Sequence, residues 1–187
     1  MKISLSEKIV TDRLILQRLK YEDAEEIFYT YASKPEATRF VSWRTHRRME
    51  DTMHFLATSR YLWTKHKDFS YSVRLRDSHR LIGGVGCVNH DGEIELGYIF
   101  SPTQWNNGFA TEGCRAILRE LSGLSGVRSI STFVDAENVA SIRVLQKCGL
   151  TEENRVPSFF AFPNQSEKRK DFILFSYPMT ESKRSTI

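Results

Sequence analysis

The chain has 187 residues and a formal net charge of +4, with 40% hydrophobic and 27% charged residues. This length suits one domain with a real core, and the composition is ordinary for a soluble globular protein. No apolar run is long enough to span a membrane, and residues 1–7 lack the apolar core of a signal peptide. We therefore expect a single cytoplasmic domain over residues 1–187, with its core at about 9–177 and a polar C-terminal tail at 178–187.

The cysteines, histidines and basic residues show no metal-binding or nucleic-acid-binding pattern. Cys87, Cys114 and Cys148 form no Cys-x-x-Cys pair, so we interpret them as small buried hydrophobic residues. The five histidines show no ligand spacing, and no metal is predicted. Basic residues concentrate at 39–48 and 168–170, a weaker excess than a nucleic-acid-binding face usually shows. We expect neither a nucleic-acid nor a membrane partner.

The first half of the chain predicts alternating strands and helices. Alternating apolar residues favour strands at 13–18, 69–75 and 81–88, and helical periodicity favours helices at 21–33 and 49–65. The residues expected on the buried face of the second helix are Met49, Met53, Leu56 and Tyr61.

The second half continues the alternation after a hairpin turn at 90–92, which leads into a strand at 93–100. A helix follows Gly108, and Asn138 is the N-cap of a helix at 139–147. Further strands are expected at 129–134, from Leu150 and at 171–177, with a loop at 157–169. Helices before, between and after strands indicate a mixed α/β fold, with one central sheet and helices on both faces.

The stretch from Glu93 to Thr111 combines a strand, a tight polar turn and the start of a helix. Glycine and asparagine occupy the turn, where the backbone bends sharply and exposes its amides. The first amides of a helix have no partner inside it, so this connection suits an anion. The Walker and dinucleotide glycine patterns are absent. On turn chemistry alone, an ordinary strand-to-helix connection is equally consistent.

The turn also resembles a known cofactor loop. The pyrophosphate loop of the GNAT superfamily of N-acetyltransferases, written Gln/Arg-x-x-Gly-x-Gly/Ala, is similar to residues 105–112, Trp-Asn-Asn-Gly-Phe-Ala-Thr-Glu. Trp105 takes the Gln/Arg position, and Gly108 and Ala110 take the two small positions. Tryptophan followed by aromatic-Ala-Thr-Glu resembles the ribosomal-protein N-terminal acetyltransferase (Rim-type) branch. The usual second glycine is Asn106 here, and asparagine tolerates left-handed backbone angles better than most residues.

Other stretches resemble the same family, in the same order, over roughly residues 9–177. Residues 11–16 resemble the family's first strand, and residues 22–24 resemble the start of its first helix. Residues 81–84 and 95–98 resemble its third and fourth strands. Residues 135–150 resemble its second cofactor motif. The resemblance implies a GNAT-like fold, with a central and mostly antiparallel sheet. That sheet splays between its fourth and fifth strands, where acetyl-CoA enters.

The resemblance further implies how acetyl-CoA is bound. Backbone amides of residues 105–110 would bind its pyrophosphate, and Asn138 would contact its pantetheine arm or simply cap the helix. We interpret the Trp105 side chain as packing rather than recognition. The cofactor-binding residues expected on this basis are Tyr98, Ile99, Phe100, Trp105, Asn106, Asn107, Gly108, Phe109, Ala110, Thr111, Asn138 and Ser141.

Acetyl transfer from a thioester to an amine needs a neutral amine and a proton for the leaving thiolate. A free α-amine has a pKa of about 8, so roughly a tenth of it is neutral at pH 7. A modest base is therefore enough to deprotonate the rest. Glu95 is the candidate catalytic base. The alternative interpretation is that Glu95 is an ordinary solvated carboxylate on the strand. Glu93 is a weaker second candidate for the base. Ser141 is the candidate proton donor to the leaving thiolate. The alternative interpretation is that Ser141 has only a structural role at the start of the helix. Many GNAT enzymes use a tyrosine there, and a serine can fill that role in the Rim-type branch.

Three functions remain open. We favour an acetyl-CoA-dependent N-acetyltransferase that acts on the α-amine of a protein or peptide, by direct attack in a ternary complex. The alternatives are acetylation of a small amine (a polyamine, aminoglycoside or amino acid) and a non-catalytic acyl-CoA-binding regulatory module. The expected acceptor-side segments, 39–48 and 157–169, are basic and aromatic, which favours a peptide or a neutral or acidic acceptor. We expect a monomer or a homodimer.

Overall fold

A computed structural model describes residues 3–165 and 168–179 of the chain. Most of the predicted tail at 178–187 lies outside these residues. The strands are β1 Lys8–Val10, β2 Leu14–Arg18, β3 Asp68–Leu75, β4 Leu81–His90, β5 Glu93–Phe100, β6 Ser129–Asp135, β7 Thr151–Phe160 and β8 Lys170–Ser176. The helices are α1 Ala24–Ile27, α2 Pro35–Thr38, α3 Met49–Thr64, α4 Phe109–Ser122 and α5 Val139–Lys147. Short turns of 3-10 helix at Tyr21–Asp23 and Pro102–Gln104 and of π-helix at Phe28–Ala32 complete the helical segments.

The eight strands form one sheet in the order β1-β2-β3-β4-β5-β6-β8-β7. Neighbouring strands run antiparallel except for β5 and β6, which are parallel and pair only from Glu93 to Glu95. Beyond Glu95 the two strands separate, although β5 continues to Phe100. The predicted mixed α/β fold with a splayed, mostly antiparallel sheet is therefore confirmed. In the structure the splay follows the fifth strand rather than the fourth. The numbering differs because a short strand, β1, precedes those that the sequence predicted.

Helices cover both faces of the sheet, as predicted. On one face, a Cβ placed on Gly113 of α4 would lie 3.7 Å from Val85 and 3.8 Å from Phe100, which shows how closely α4 packs on the strands. On the other face, the Tyr31 hydroxyl lies beside Gly84 of β4. Within the described ranges, no helix combines the length and apolar character needed to cross a membrane.

The predicted buried face of α3 is wrong in two of its four residues, because Met53 and Tyr61 are 51% and 60% exposed. The buried residues of α3 are Thr52, Leu56, Ser59 and Trp63. Thr52 and Ser59 are buried because their hydroxyls have partners, His46 Nδ1 at 2.8 Å in the first case and Asp68 in the second. Apolar periodicity cannot detect such hydroxyls, so it selected the wrong face.

The predicted loop at 157–169 is also wrong in part, because β7 continues to Phe160. The pairing of β7 with β8 shifts between Val156 and Phe160, and this irregularity accommodates Pro157 on an edge strand. Phe160 holds the strand end in place, since its ring lies 5.6 Å from that of Phe133.

Candidate active site

A cleft of about 700 Å³ opens where β5 and β6 separate. The N-terminal ends of α4 and α5 and the segment 36–43 complete its walls. The predicted site residues that line it are Glu95, Tyr98, Ile99, Phe100, Trp105, Asn106, Gly108, Phe109, Ala110, Thr111, Asn138 and Ser141. The structure thus brings together residues from β5, the following turn and α5 that are up to 46 positions apart, counted from Glu95 to Ser141.

The turn before α4 has the geometry of an anion site. Asn106 and Gly108 adopt positive φ angles of 64° and 79°, as the sequence predicted for a loop in which asparagine replaces glycine. Within the described part of the chain, the backbone amides of residues 106–110 donate to no protein acceptor. Successive amides of this kind, at the start of a 14-residue helix, favour a bound phosphate group.

Two residues predicted to bind the cofactor make hydrogen bonds that brace this turn. The Trp105 amide donates to the Pro102 carbonyl at 3.3 Å, and its indole N–H donates to the Phe100 carbonyl at 3.0 Å. The Asn107 side-chain amide donates to the Gln104 and Trp105 carbonyls, each at 3.2 Å, and Asn107 does not line the cleft. Among the described residues of this turn, the backbone amides without a protein acceptor therefore begin at residue 106 rather than 105.

Arg13 holds the turn from outside, and the sequence analysis assigned it no such role. Its Nη1 donates to the Asn107 carbonyl at 3.0 Å, while its Nε donates to Glu112 at 2.7 Å. The guanidinium also lies 4.6 Å from the centre of the Phe109 ring. The Thr11 hydroxyl donates to Glu112 at 2.6 Å. The Thr-Asp-Arg-Leu segment at residues 11–14, which leads into β2, could have indicated this role. Its partners lie about a hundred positions away in sequence, so local patterns did not reveal them.

Replacing Glu112 with glutamine is expected to reduce the free energy of unfolding at pH 7 by about 1–3 kcal/mol, since charged hydrogen bonds are lost. Burial opposes the charge on this carboxylate, but hydrogen bonds from Thr11 and Arg13 outweigh it and lower the pKa of Glu112. A lowered pKa stabilises the fold above the unfolded value of 4.5, and this stability is lost as the pH falls through the folded value. Urea unfolding at pH 7 and pH 3 should show a difference that shrinks in acid, with exposed Glu153→Gln as the control.

Ser141 is held at the cleft by two hydrogen bonds. Its amide donates to the Asn138 side chain at 3.2 Å, which confirms Asn138 as the N-cap of α5. Its hydroxyl lies 2.6 Å from the Tyr98 hydroxyl, whose single proton is within reach of both Ser141 Oγ and, at 3.2 Å, the Ser141 carbonyl. Burial raises the pKa of Tyr98, so the phenol stays protonated and can donate to Ser141 Oγ. Ser141 can then direct its own proton into the cleft.

Glu95 occupies the point where the cleft meets a second cavity. Its carboxylate is 45% exposed and lies 3.9 Å from His90 Nε2. Residues 95–99 line both cavities. Glu93, the weaker candidate, lies outside both and pairs with Arg128 at 3.2 Å. Glu95 is therefore the better placed of the two carboxylates.

The second cavity, of about 450 Å³, differs from the basic acceptor side that the sequence predicted. Among its described lining residues there is no lysine or arginine, because the arginines of segment 39–48 lie elsewhere. That segment contributes Trp43 and His46 instead, and residues 157–165 contribute none. The acidic residues that line the cavity are Asp51, Asp68 and Glu95.

A splayed sheet with unpaired amides at the head of a helix is the arrangement that the resemblance implied for an acyl-CoA-dependent transferase. The Acetyltransferase (GNAT) domain matches residues 13–151, so the chain belongs to the GNAT acetyltransferase family. Membership confirms the predicted resemblance and the predicted enzyme class, and it confirms acetyl-CoA as the acetyl donor.

Similar proteins agree with this assignment. YoaA of Bacillus subtilis (strain 168), named an uncharacterized N-acetyltransferase, is 31% identical over 146 residues, which cover 76% of this chain and 82% of YoaA. The fold is similar to that of ribosomal-protein-S5-alanine acetyltransferase from Vibrio fischeri, with a TM-score of 0.81, 17% identity, and coverage of 94% and 98% of the two chains. It is equally similar to the microcin C7 self-immunity acetyltransferase MccE, solved with acetyl-CoA and AMP, with a TM-score of 0.81, 17% identity, and coverage of 92% and 97%.

Proposed function

We propose that this protein transfers an acetyl group from acetyl-CoA to a primary amine, by direct attack in a ternary complex. The observation that carries the proposal is the meeting of two cavities along residues 95–99. One cavity leads to the unpaired amides of residues 106–110, and the other leads away from them. Donor and acceptor can therefore enter separately and meet beside Glu95, which suits direct transfer.

The cleft supplies groups for each part of the donor. The amides of residues 106–110 would bind the pyrophosphate, with the dipole of α4 behind them. Asn138 and the edge of β5 at Tyr98–Phe100 would lie along the pantetheine arm. Arg13 would keep the turn in its binding conformation through the Asn107 carbonyl. The cleft volume of about 700 Å³ is large enough for a ligand of this kind.

Acetyl-CoA, when bound, supplies an activated acetyl thioester. The neutral amine attacks its carbonyl carbon, so a C–N bond forms and the C–S bond breaks. Glu95 takes the proton that leaves the amine, directly or through one water molecule. Ser141 gives its hydroxyl proton to the departing sulfur and is reprotonated from solvent, while Tyr98 keeps it oriented. The products are the amide and coenzyme A.

Because of the Rim-type resemblance, the acceptor that we favour is the N-terminal α-amine of a protein or peptide. The similarity of the fold to that of a ribosomal-protein acetyltransferase supports this choice. A small cationic amine is the second candidate, and the carboxylates of the second cavity favour it. A regulatory module that binds acyl-CoA without turnover is the remaining alternative. A screen of acetyl-CoA turnover over amines and N-terminal peptides tests all three. Calorimetric binding of acetyl-CoA without turnover on any amine would leave only the regulatory module.

Replacing Ser141 with alanine is expected to lower kcat by about 10- to 100-fold, because the departing sulfur loses its proton donor. Tyr98→Phe should lower kcat by roughly tenfold, since it removes only the hydrogen bond that orients Ser141. Steady-state kinetics of both single variants and the double variant would check this, because residues of one hydrogen-bond chain are not additive.

The double variant should therefore resemble Ser141→Ala. Both defects should shrink with a thioester whose leaving thiol is more acidic than that of coenzyme A. A Tyr98→Phe defect that persists unchanged with such a donor would assign Tyr98 to packing alone.

A further inference from the structure

The second cavity has apolar walls suited to a short aliphatic chain. The Trp43 and His46 rings lie with their centres 5.0 Å apart, and the Phe55 ring is 6.3 Å from His46. Tyr31 and Ala32, at the end of the π-helical turn, continue this wall, because the His46 amide donates to the Ala32 carbonyl at 3.0 Å. Burial lowers the pKa of His46, so the ring is neutral near pH 7 and does not repel a cation.

The floor of the cavity is almost free of side chains. Ser70, Gly86 and Gly97 are paired in register across β3, β4 and β5, so their row crosses the sheet on one face. A methyl group placed on Gly97 would meet no atom within 4 Å. The row therefore leaves a slot that leads from the acetyl-transfer point into the cavity.

Carboxylates stand at the two ends of this slot rather than in one cluster. Asp68 and Glu95 both pair with Val88 of the strand between them, so they lie on the same face, two strands apart. Strand spacing places their Cα atoms roughly 10 Å from each other. Asp68 is 9% exposed and accepts a hydrogen bond from the Ser70 hydroxyl at 2.6 Å. The remaining acidic residue, Asp51, already accepts from the amides of Arg47 and Arg48.

Burial raises the pKa of Asp68, while hydrogen bonds from Ser70 and Ser59 oppose that rise. A buried carboxylate without a cationic partner is costly, and a ligand cation would relieve the cost. The described residues that line the cavity provide no lysine or arginine for this purpose. The structure therefore holds the Asp68 carboxylate at the far end of an apolar slot. The near end of this slot lies beside Glu95, where the proposed acetyl transfer takes place.

We propose that the second cavity binds small aliphatic diamines, with Asp68 holding the distal ammonium group while the proximal amine lies beside Glu95. This inference rests on the proposed acetyltransferase function and develops its second candidate acceptor, the small cationic amine. The methylene chain lies over Gly97 and against the aromatic side chains of the cavity. A diamine satisfies both carboxylates, whereas the α-amine of a peptide N-terminus supplies only one cation. The product carries the acetyl group on the proximal nitrogen and an ammonium at the distal one.

The test compares 1,4-diaminobutane and 1,5-diaminopentane with n-butylamine and n-pentylamine, using wild type, Asp68→Asn and Asp91→Asn. Asp91 lies in the β4–β5 turn outside both cavities, with a φ of 52° that asparagine tolerates, so it is a matched control. We expect wild type and Asp91→Asn to favour each diamine over its monoamine by at least about tenfold in kcat/KM. Asp68→Asn should lose that preference and keep its monoamine activity within about twofold.

Calorimetry separates this inference from the proposed function. Diamine binding to the coenzyme A complex should weaken at least about tenfold in Asp68→Asn, while coenzyme A binding stays the same in every variant. Asp68-dependent diamine binding without acetyl transfer to any amine or peptide would support the diamine site and refute the enzyme proposal. Peptide acetylation with no diamine preference in wild type, or an equal loss for diamines and monoamines in Asp68→Asn, would overturn the diamine site and leave the acetyltransferase proposal intact.

Discussion

Replacing Glu95 with glutamine is expected to lower kcat by about a hundredfold near neutral pH, the usual effect of removing a general base. Glutamine keeps the size of the side chain and its position between the two cavities, but it cannot take a proton from the amine. Raising the pH supplies neutral amine from solution, so part of the loss should be recovered in alkaline buffer. Steady-state kinetics from pH 6 to pH 10 would measure both effects.

The matched control for this experiment is Glu93→Gln, two positions earlier on the same face of β5. Glu93 pairs with Arg128 and lines neither cavity, so its replacement should leave kcat within about twofold of wild type. A Glu95→Gln enzyme with wild-type kcat across the pH range would make Glu95 a structural carboxylate. Positioning of the two substrates would then supply most of the rate.

Replacing Gly108 with valine is expected to weaken acetyl-CoA binding by a hundredfold or more, on the order of 3 kcal/mol. Gly108 has φ 79° and ψ 4°, a left-handed conformation that a β-branched residue strongly disfavours. Relaxing that strain would turn away the amides of residues 106–110, and the valine methyl groups would also obstruct the phosphate. Calorimetry with acetyl-CoA and with coenzyme A would measure the loss.

Gly123→Val provides the control, because Gly123 is also exposed at an end of α4 but has a negative φ of −76°. Its acetyl-CoA affinity should stay close to that of wild type. Far-UV circular dichroism should show that both variants are folded. An unchanged dissociation constant in folded Gly108→Val would mean that the pyrophosphate binds elsewhere.

The features that sequence predicted best are those determined by neighbouring residues. The turn at 105–108 and the cap at Asn138 depend on local backbone chemistry, and both are found where they were expected. The separation of β5 and β6 followed from the resemblance to a known fold. In each case the interacting residues are close in sequence or belong to an ordered family pattern.

The contacts that sequence reasoning missed join distant parts of the chain. Arg13 and Glu112 are 99 positions apart, and Tyr98 and Ser141 are 43 apart, so periodicity carries no information about either pair. The acidic residues that line the second cavity were also missed, for a related reason. Counting charges along segment 39–48 cannot show which side chains turn inward, and Asp68 enters the cavity from a different strand.

The contact between Arg13 and the turn at 105–108 couples ligand binding to the assembly of the sheet. Arg13 immediately precedes β2, whose partner β3 begins 50 residues after β2 ends, counted from Arg18 to Asp68. Such long-range pairing forms late, because closing the intervening loop costs entropy before any contact compensates it. The bond from Arg13 to the turn therefore forms only once the N-terminal segment has docked, whereas the bonds made by Trp105 and Asn107 are local. A newly made chain that has folded only β4, β5 and α4 has the whole loop sequence but lacks this outer support. Full support of the donor-binding turn thus depends on a segment about ninety residues earlier in the chain.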